Sequence, residues 1–183
     1  MTEHIKLHDL TFKPYLTEEA IQQRVAEIGK LLSEEYAGRK PVFMVMLKGA
    51  FVFATDLIRH FEGPAEVSFV RTQSYIGTET TQDVKIILGP TPEEVQGRDI
   101  IIVEDIVDSG HTMNRFIPIL EAQQPRSISL VTLLVKPEML QKEVKIDHLG
   151  FSIPPKFVVG YGLDYNSLGR NLRAIYQLAE KGE

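Results

Sequence analysis

The sequence predicts an α/β fold in which helices flank a mostly parallel central sheet. Predicted strands and helices alternate along the chain, as they do in α/β domains. The strongest strand candidates are continuous apolar runs, which is typical of parallel strands that are buried on both faces. The chain has 183 residues, of which 43% are hydrophobic. That length and composition suit one domain with a substantial core, so we expect residues 1–183 to form a single domain.

The first predicted element is an amphipathic helix over residues 17–37. Its apolar side chains recur at helical spacing on one face, at Ile21, Val25, Ile28, Leu32 and Tyr36. Thr17 is a suitable N-cap, and Gly38 is a suitable stop. The apolar run 41–47 then predicts a buried parallel strand, and residues 50–61 predict a buried helix.

The middle of the chain continues this alternation. Residues 66–72 and 84–88 predict two strands that could pair as a hairpin, joined by the long polar stretch 74–83. The strongest strand candidates are 99–104 and 127–135. A helix is predicted between them, although Pro118 is expected to kink it.

Near the C-terminus, residues 156–161 predict a last short strand, followed by a loop at 162–170. The terminal segments, about 1–15 and 150–183, do not add obviously to the central sheet. We therefore expect them to form a small hood over it.

Composition excludes several functional classes. Cysteine is absent, which removes disulfides and cysteine nucleophiles and fits a reducing cytoplasm. The net charge of −5 disfavours nucleic acid as a partner. The N-terminus is charged where a signal peptide needs an apolar run, and no stretch reaches the roughly 20 apolar residues of a membrane span, so no membrane association is expected.

The stretch "DIIIVEDIVDSGHT", residues 99–112, is the main candidate for a functional site. Ligands of open α/β sheets bind beyond the carboxyl ends of the strands, where this stretch leaves its strand. Gly110 permits close backbone approach, and the following helix offers free N–H groups to a phosphate. Glu104 and Asp105 suit sugar hydroxyls or Mg²⁺. The alternative is that the acidic residues only solvate a strand end and cap a helix.

Several motifs together resemble one family. "VEDIVDSGHT" resembles the phosphoribosyl pyrophosphate loop of the purine phosphoribosyltransferases, specifically the hypoxanthine(-guanine) branch. Four further stretches occur in the family's order between about residues 40 and 170, namely "LKGA", "SYIGTETTQDVKI", "TLLVKP" and "KFVVGYGLDY". The resemblance implies a type I phosphoribosyltransferase fold with a mobile β-hairpin loop. It also implies transfer of a phosphoribosyl group to hypoxanthine or guanine, for purine salvage.

The resemblance assigns the phosphoribosyl site to the 104–112 region. It implies that the 5′-phosphate is bound by consecutive residues, namely Asp108, Ser109, Gly110, His111 and Thr112. Glu104 and Asp105 would engage the ribose hydroxyls, directly or through Mg²⁺. Asp108 would also be the general base at purine N7, and its alternative role is that of a helix cap.

The other motifs carry the pyrophosphate and purine roles. Lys48 and Gly49 would face pyrophosphate, with Arg170 as its further partner. The resemblance implies that the Lys48–Gly49 peptide bond can be cis, and the sequence leaves open whether it is. Lys136 would donate to the purine 6-oxo group. Phe157 would stack on the base. Val158 would offer main-chain contacts.

Two roles remain in that assignment. Asp164 would be the second metal ligand near pyrophosphate, and main-chain groups around Val158 and Asp164 would sense purine position 2. Ser74 and Tyr75 would belong to the loop that closes over the reacting centre.

Two other functions stay open from the sequence. One is a regulator that keeps the phosphate loop as a nucleotide sensor without catalysis. The other is a Mg²⁺-dependent signalling domain that is phosphorylated on an aspartate. The relative preference for hypoxanthine, guanine and xanthine is also open, and the resemblance implies a homodimer or homotetramer.

Overall fold

The computed structural model describes residues 3–74 and 84–180. Within them, the larger of two sheets has the strand order β5-β4-β3-β6-β7-β8. Its strands are β3 (Val42–Leu47), β4 (Glu66–Ser74), β5 (Val84–Leu88), β6 (Asp99–Val107), β7 (Ser127–Val135) and β8 (His148–Ser152). All neighbours pair in parallel except β4 and β5, which pair antiparallel. The predicted parallel α/β sheet is therefore confirmed.

Helices of the described chain pack on this sheet. They are α1 (Glu18–Glu35), α2 (Phe51–Arg59), α3 (Pro92–Val95) and α4 (His111–Glu121). Thr17 is the N-cap of α1, and its hydroxyl accepts a hydrogen bond from Ala20 N at 3.2 Å, as predicted. Pro118 lies inside α4. No helix in residues 3–74 or 84–180 is both long enough and apolar enough to span a membrane.

The second sheet is formed by both ends of the chain and is called the hood below. Its order is β1-β2-β10-β9, all antiparallel. The strands are β1 (Ile5–Leu7), β2 (Leu10–Leu16), β9 (Val158–Val159) and β10 (Ile175–Leu178). The expected hood of N- and C-terminal segments is thus confirmed. However, the strand predicted at 156–161 shrinks to two residues, and β8, which the sequence did not predict, belongs to the larger sheet.

Burial explains why the central strands are apolar throughout. Ile100, Ile101 and Ile102 are all fully buried, so both faces of β6 are covered. Phe12 and Val159 belong to a second, smaller apolar cluster formed largely by the hood strands. The site-bearing strands therefore lie in the main core, which the hood joins through Val158 and Ile175.

A buried carboxylate stabilises the amino-terminal edge of the larger sheet. The side chain of Asp99 is 1% exposed and accepts hydrogen bonds from Ser127 Oγ at 2.7 Å, Arg126 Nη1 at 3.2 Å and Arg39 Nη1 at 3.4 Å. We expect Asp99→Ala to lower the free energy of unfolding by about 2 kcal/mol, since charge-assisted hydrogen bonds are lost. Urea denaturation measures this.

The matched control for that prediction is Glu34→Ala. Glu34 forms only a 4.0 Å pair with Lys30, and both side chains are more than half exposed. Its loss should cost less than about 0.5 kcal/mol. Equal effects of the two substitutions would show that the buried network at Asp99 adds nothing to stability.

Candidate active site

Three parallel strands deliver the predicted site residues to one edge of the larger sheet. Strand β6 lies between β3 and β7, in registers that pair Val45 with Val103 and Val107 with Val135. Because parallel strands end on the same side, the segments that follow β3, β6 and β7 converge there. Those segments carry Lys48, Asp108 and Lys136.

Two adjacent carboxylates lie near the end of β6. Strand β6 runs to Val107, so Glu104 and Asp105 belong to the strand and do not follow it. Glu104 is 9% exposed, and its Oε1 accepts a hydrogen bond from Asp105 N at 3.1 Å. Burial, reinforced by the neighbouring charge of Asp105, raises the pKa of Glu104 well above its usual value. This pair therefore favours a cation or hydroxyl donors.

The segment after β3 packs directly on that acidic pair. A Cβ atom on Gly49 would lie 1.6 Å from Asp105 Oδ2, so only glycine leaves room for the carboxylate. Lys48, beside it, is exposed. The cis peptide bond joins Leu47 to Lys48. The cis bond therefore lies one residue before the Lys48–Gly49 bond for which the sequence left this question open.

The candidate phosphate loop leads directly into the start of α4. Gly110 is the N-cap of α4, with φ of 81°, a conformation that glycine adopts without strain. The first N–H groups of the helix are free of intrahelical partners and point out of its end. This is the arrangement in which helix N-termini bind phosphate. Ser109, His111 and Thr112 flank Gly110 in the same turn.

A segment that the sequence did not implicate covers this loop. The carbonyl oxygen of Ser109 accepts hydrogen bonds from Gln141 N at 3.0 Å and Lys142 N at 3.2 Å. The His111 ring nitrogen Nε2 lies 3.0 Å from Gln141 Oε1. A Cβ atom on Gly110 would lie 2.7 Å from Lys142 O. No motif marks this contact, because it depends on where the chain passes after β7.

Asp108 and Lys136 form an ion pair at the centre of the edge. Lys136 Nζ donates to Asp108 Oδ2 at 2.9 Å, and the lysine side chain is only 10% exposed. The other oxygen, Oδ1, is buried and has no hydrogen-bond partner among the described residues. The N-cap residue of α4 is Gly110 and not Asp108. A free acceptor oxygen is what a proton-accepting group requires.

Asp164 and Arg170 also pair with each other. Arg170 Nη2 lies 2.5 Å from Asp164 Oδ1, and Arg170 Nη1 donates to Gly162 O at 2.7 Å. A Cβ atom on Gly162 would lie 2.1 Å from Gly49 O. The turn that carries this pair therefore contacts the Lys48–Gly49 segment.

The purine-stacking candidate lies at the margin of the hood. Phe157 is 41% exposed, which argues against simple core packing. Its ring centroid is 5.8 Å from that of Tyr165 and 6.0 Å from that of Phe12. Val158 is buried in β9. These aromatic neighbours fix the Phe157 ring while leaving part of its surface open.

One of the two closing-loop candidates lies within the described chain. Ser74 is the last residue of β4, and the antiparallel pairing of β4 with β5 confirms the possible hairpin. Tyr75 lies outside the described residues.

The carboxylates suit Mg²⁺ only together with a substrate. Among residues 3–74 and 84–180, no three His, Cys, Asp or Glu side chains are grouped to hold a metal ion. Mg²⁺ is usually bound by one or two carboxylates together with water and substrate phosphates. Glu104 and Asp105, whose like charges lie side by side, fit that donor set.

Comparison with known proteins agrees with this geometry. A family model described as the phosphoribosyl transferase domain matches residues 13–166. The hypoxanthine phosphoribosyltransferase of Salmonella typhimurium is 42% identical over 165 residues, covering 88% of this chain and 92% of that protein. The hypoxanthine-guanine phosphoribosyltransferase of Bacillus subtilis is 42% identical over 166 residues, covering 90% and 91%. The solved hypoxanthine phosphoribosyltransferase of Staphylococcus aureus matches with a TM-score of 0.85 at 37% identity, covering 92% of each chain.

Proposed function

The chain belongs to the phosphoribosyltransferase family, and we propose that it is a purine-salvage enzyme that transfers the 5-phosphoribosyl group to hypoxanthine and guanine. The donor is phosphoribosyl pyrophosphate, and the products are inosine or guanosine monophosphate and pyrophosphate. The observation that carries the proposal is the contact of Gly49 with Asp105. This contact places a candidate leaving-group loop against candidate ribose-binding acids.

The phosphorylated sugar is held from two sides. Backbone N–H groups at Gly110 and the start of α4 bind the 5′-phosphate. Glu104 and Asp105 hold the ribose hydroxyls, and with Mg²⁺ they would fix the donor for reaction.

Mg²⁺ would supply positive charge that offsets the negative charge of the departing pyrophosphate. Lys48 and Arg170 face the same leaving group, for which the planar guanidinium is well suited. Asp164 would join as a second metal ligand.

The base is bound by groups from β7 and the hood. Lys136 donates to the 6-oxo oxygen, Phe157 stacks on the ring, and the main chain near Val158 reads position 2. Purine N9 then bonds to the anomeric carbon as the bond from that carbon to pyrophosphate breaks. Asp108 removes the proton from N7, so the positive charge on the purine is neutralised.

The finer parts of the proposal are Mg²⁺ dependence, a cytoplasmic location and assembly as a homodimer or homotetramer. Assembly is supported by large apolar side chains on β4 and β5 that are 44–49% exposed, namely Val67, Phe69, Ile87 and Leu88. Monomers rarely expose large contiguous apolar patches. Light scattering after gel filtration tests the assembly.

The direct test of the function is an ultraviolet assay. The protein is mixed with Mg²⁺, phosphoribosyl pyrophosphate and hypoxanthine, and inosine monophosphate is followed by absorbance. Turnover that stops when a chelator removes Mg²⁺ would support the proposal. Tight nucleotide binding without turnover would contradict it and would indicate a sensor.

Substitution of Lys136 tests the base selectivity. We expect Lys136→Met to lower kcat/KM for hypoxanthine relative to adenine by about 10- to 100-fold, because the donor that selects 6-oxopurines is removed. The substitution also removes the ion pair with Asp108, and this affects the reaction with both bases. The ratio of the two kcat/KM values therefore isolates the contact between Lys136 and the base. Lys145→Ala is the control, since this lysine is exposed and pairs with Asp147. An unchanged ratio in Lys136→Met would contradict the assignment.

A further inference from the structure

A tight turn with an uncommon backbone conformation connects the hood to the candidate pyrophosphate side of the site. Gly160, Tyr161 and Gly162 all have positive φ values, of 101°, 49° and 101°. Gly160 and Leu163 close the turn with reciprocal backbone hydrogen bonds of 3.0 and 3.1 Å. A positive φ is uncommon for a residue with a side chain and persists where the surroundings impose it. Tyr161 is therefore held in place by contacts of its side chain.

Those contacts form a small hydrogen-bond network between three elements. The Tyr161 side chain is buried, and its hydroxyl donates to Asp56 Oδ2 on α2 at 2.6 Å. Gln22 Nε2 on α1 donates to the same oxygen, also at 2.6 Å. Burial and the Asp56 carboxylate raise the pKa of Tyr161 far above its ordinary value. The hydroxyl thus stays a donor throughout the physiological pH range.

The same turn sets the spacing of the pyrophosphate groups. The α-carbon of Gly162 packs on the carbonyl oxygen of Gly49, and Gly162 O accepts the hydrogen bond from Arg170 Nη1. Gly162 N also donates to Arg170 O at 3.0 Å. Helix α2 begins two residues after Gly49 and contains Asp56, so the Lys48–Gly49 segment is attached directly to the helix that binds Tyr161.

We propose that Tyr161 is a positioning residue: its hydrogen bond to Asp56, shared with Gln22, fixes the Asp164–Arg170 pair relative to Lys48–Gly49 for binding of the pyrophosphate group. This inference rests on the proposed function. Tyr161 does not contact the substrate in this scheme. It acts through the turn. Its loss therefore weakens binding of the pyrophosphate group and leaves binding of the nucleotide product intact.

The test is removal of the hydroxyl alone, by Tyr161→Phe. Calorimetry with Mg²⁺–pyrophosphate and, separately, with inosine monophosphate measures the affinities of the pyrophosphate site and of the nucleotide site without turnover. We expect pyrophosphate affinity to fall about tenfold, with KM for phosphoribosyl pyrophosphate rising in parallel, since small misplacements of binding groups are costly. Affinity for inosine monophosphate should change less than about twofold.

Two further variants separate positioning from stability. Tyr36→Phe removes another buried tyrosine hydroxyl, at the far end of α1, and should leave both affinities unchanged even if it lowers the melting temperature. Asp56→Asn keeps an oxygen acceptor for Tyr161, so pyrophosphate affinity should stay near that of the unmodified protein. A loss as large as that of Tyr161→Phe would overturn the assignment to the hydrogen bond.

Either of two results for Tyr161→Phe would contradict the inference. No change in pyrophosphate affinity, or an equal loss for inosine monophosphate, would overturn the inference while the unmodified enzyme still turned over. Failure of the unmodified protein to form inosine monophosphate would instead contradict the proposed function itself.

Discussion

Replacement of Asp108 by Asn is expected to lower kcat for inosine monophosphate formation by about 10²- to 10⁴-fold. Asn has nearly the same shape, and its amide oxygen can still accept the hydrogen bond that Lys136 Nζ now donates to Asp108 Oδ2. It has no basic oxygen that could take a proton from purine N7. Binding of either substrate should therefore change far less than turnover.

Steady-state kinetics with both substrates varied would measure this effect. Asp147→Asn is the matched control, because Asp147 Oδ2 accepts only a structural hydrogen bond, from Leu130 N at 2.9 Å. An Asp108→Asn enzyme with unchanged kcat would show that this carboxylate is not the base. A raised KM for phosphoribosyl pyrophosphate with unchanged kcat would place Asp108 in phosphate binding alone.

The parts of the site that are contiguous in sequence were the most predictable. A buried strand, a glycine and a helix start follow one another between Asp99 and Thr112, so their geometry is local. Thr17 and the apolar face of α1 were predictable for the same reason. Each depends on neighbours within one or two turns of chain.

Contacts between distant segments were not predictable. Lys136 and Asp108 lie 28 residues apart, and they meet only because β6 and β7 pair in a particular register. The contact of Gly49 with Asp105 depends likewise on the register of β3 and β6. Gln141 and Lys142 carry no recognisable motif, so their cover over the phosphate loop became visible only in three dimensions.

The hood was the least predictable part of the fold. Its strands are short, and β2 contains Pro14, which weakens any strand pattern. The apolar run at 156–161 indicated a strand, yet pairing ends after Val159. Gly160 and Tyr161, which follow directly, have positive φ values, and the Tyr161 hydroxyl donates to Asp56, far away in sequence.

Gly49→Ala is expected to reduce kcat/KM for phosphoribosyl pyrophosphate by about 100-fold while leaving the fold intact. Gly49 is not among the glycines with positive φ, so alanine brings no backbone strain. Its Cβ would instead displace the Asp105 carboxylate, a mobile side-chain end that can rotate at little cost to stability. Asp105, the acid proposed to bind ribose, would then leave its place beside Glu104.

The cause can be isolated by a double-mutant cycle with Asp105→Ala. If the clash with the carboxylate is the whole effect, Gly49→Ala should add almost nothing once that carboxylate is absent. Gly38→Ala is the control: this glycine has φ of +74° and no atom within 4 Å of an added Cβ, so only stability should fall. Additive losses in the cycle would mean that Gly49 acts through its own contact with substrate, and that the packing against Asp105 is incidental to catalysis.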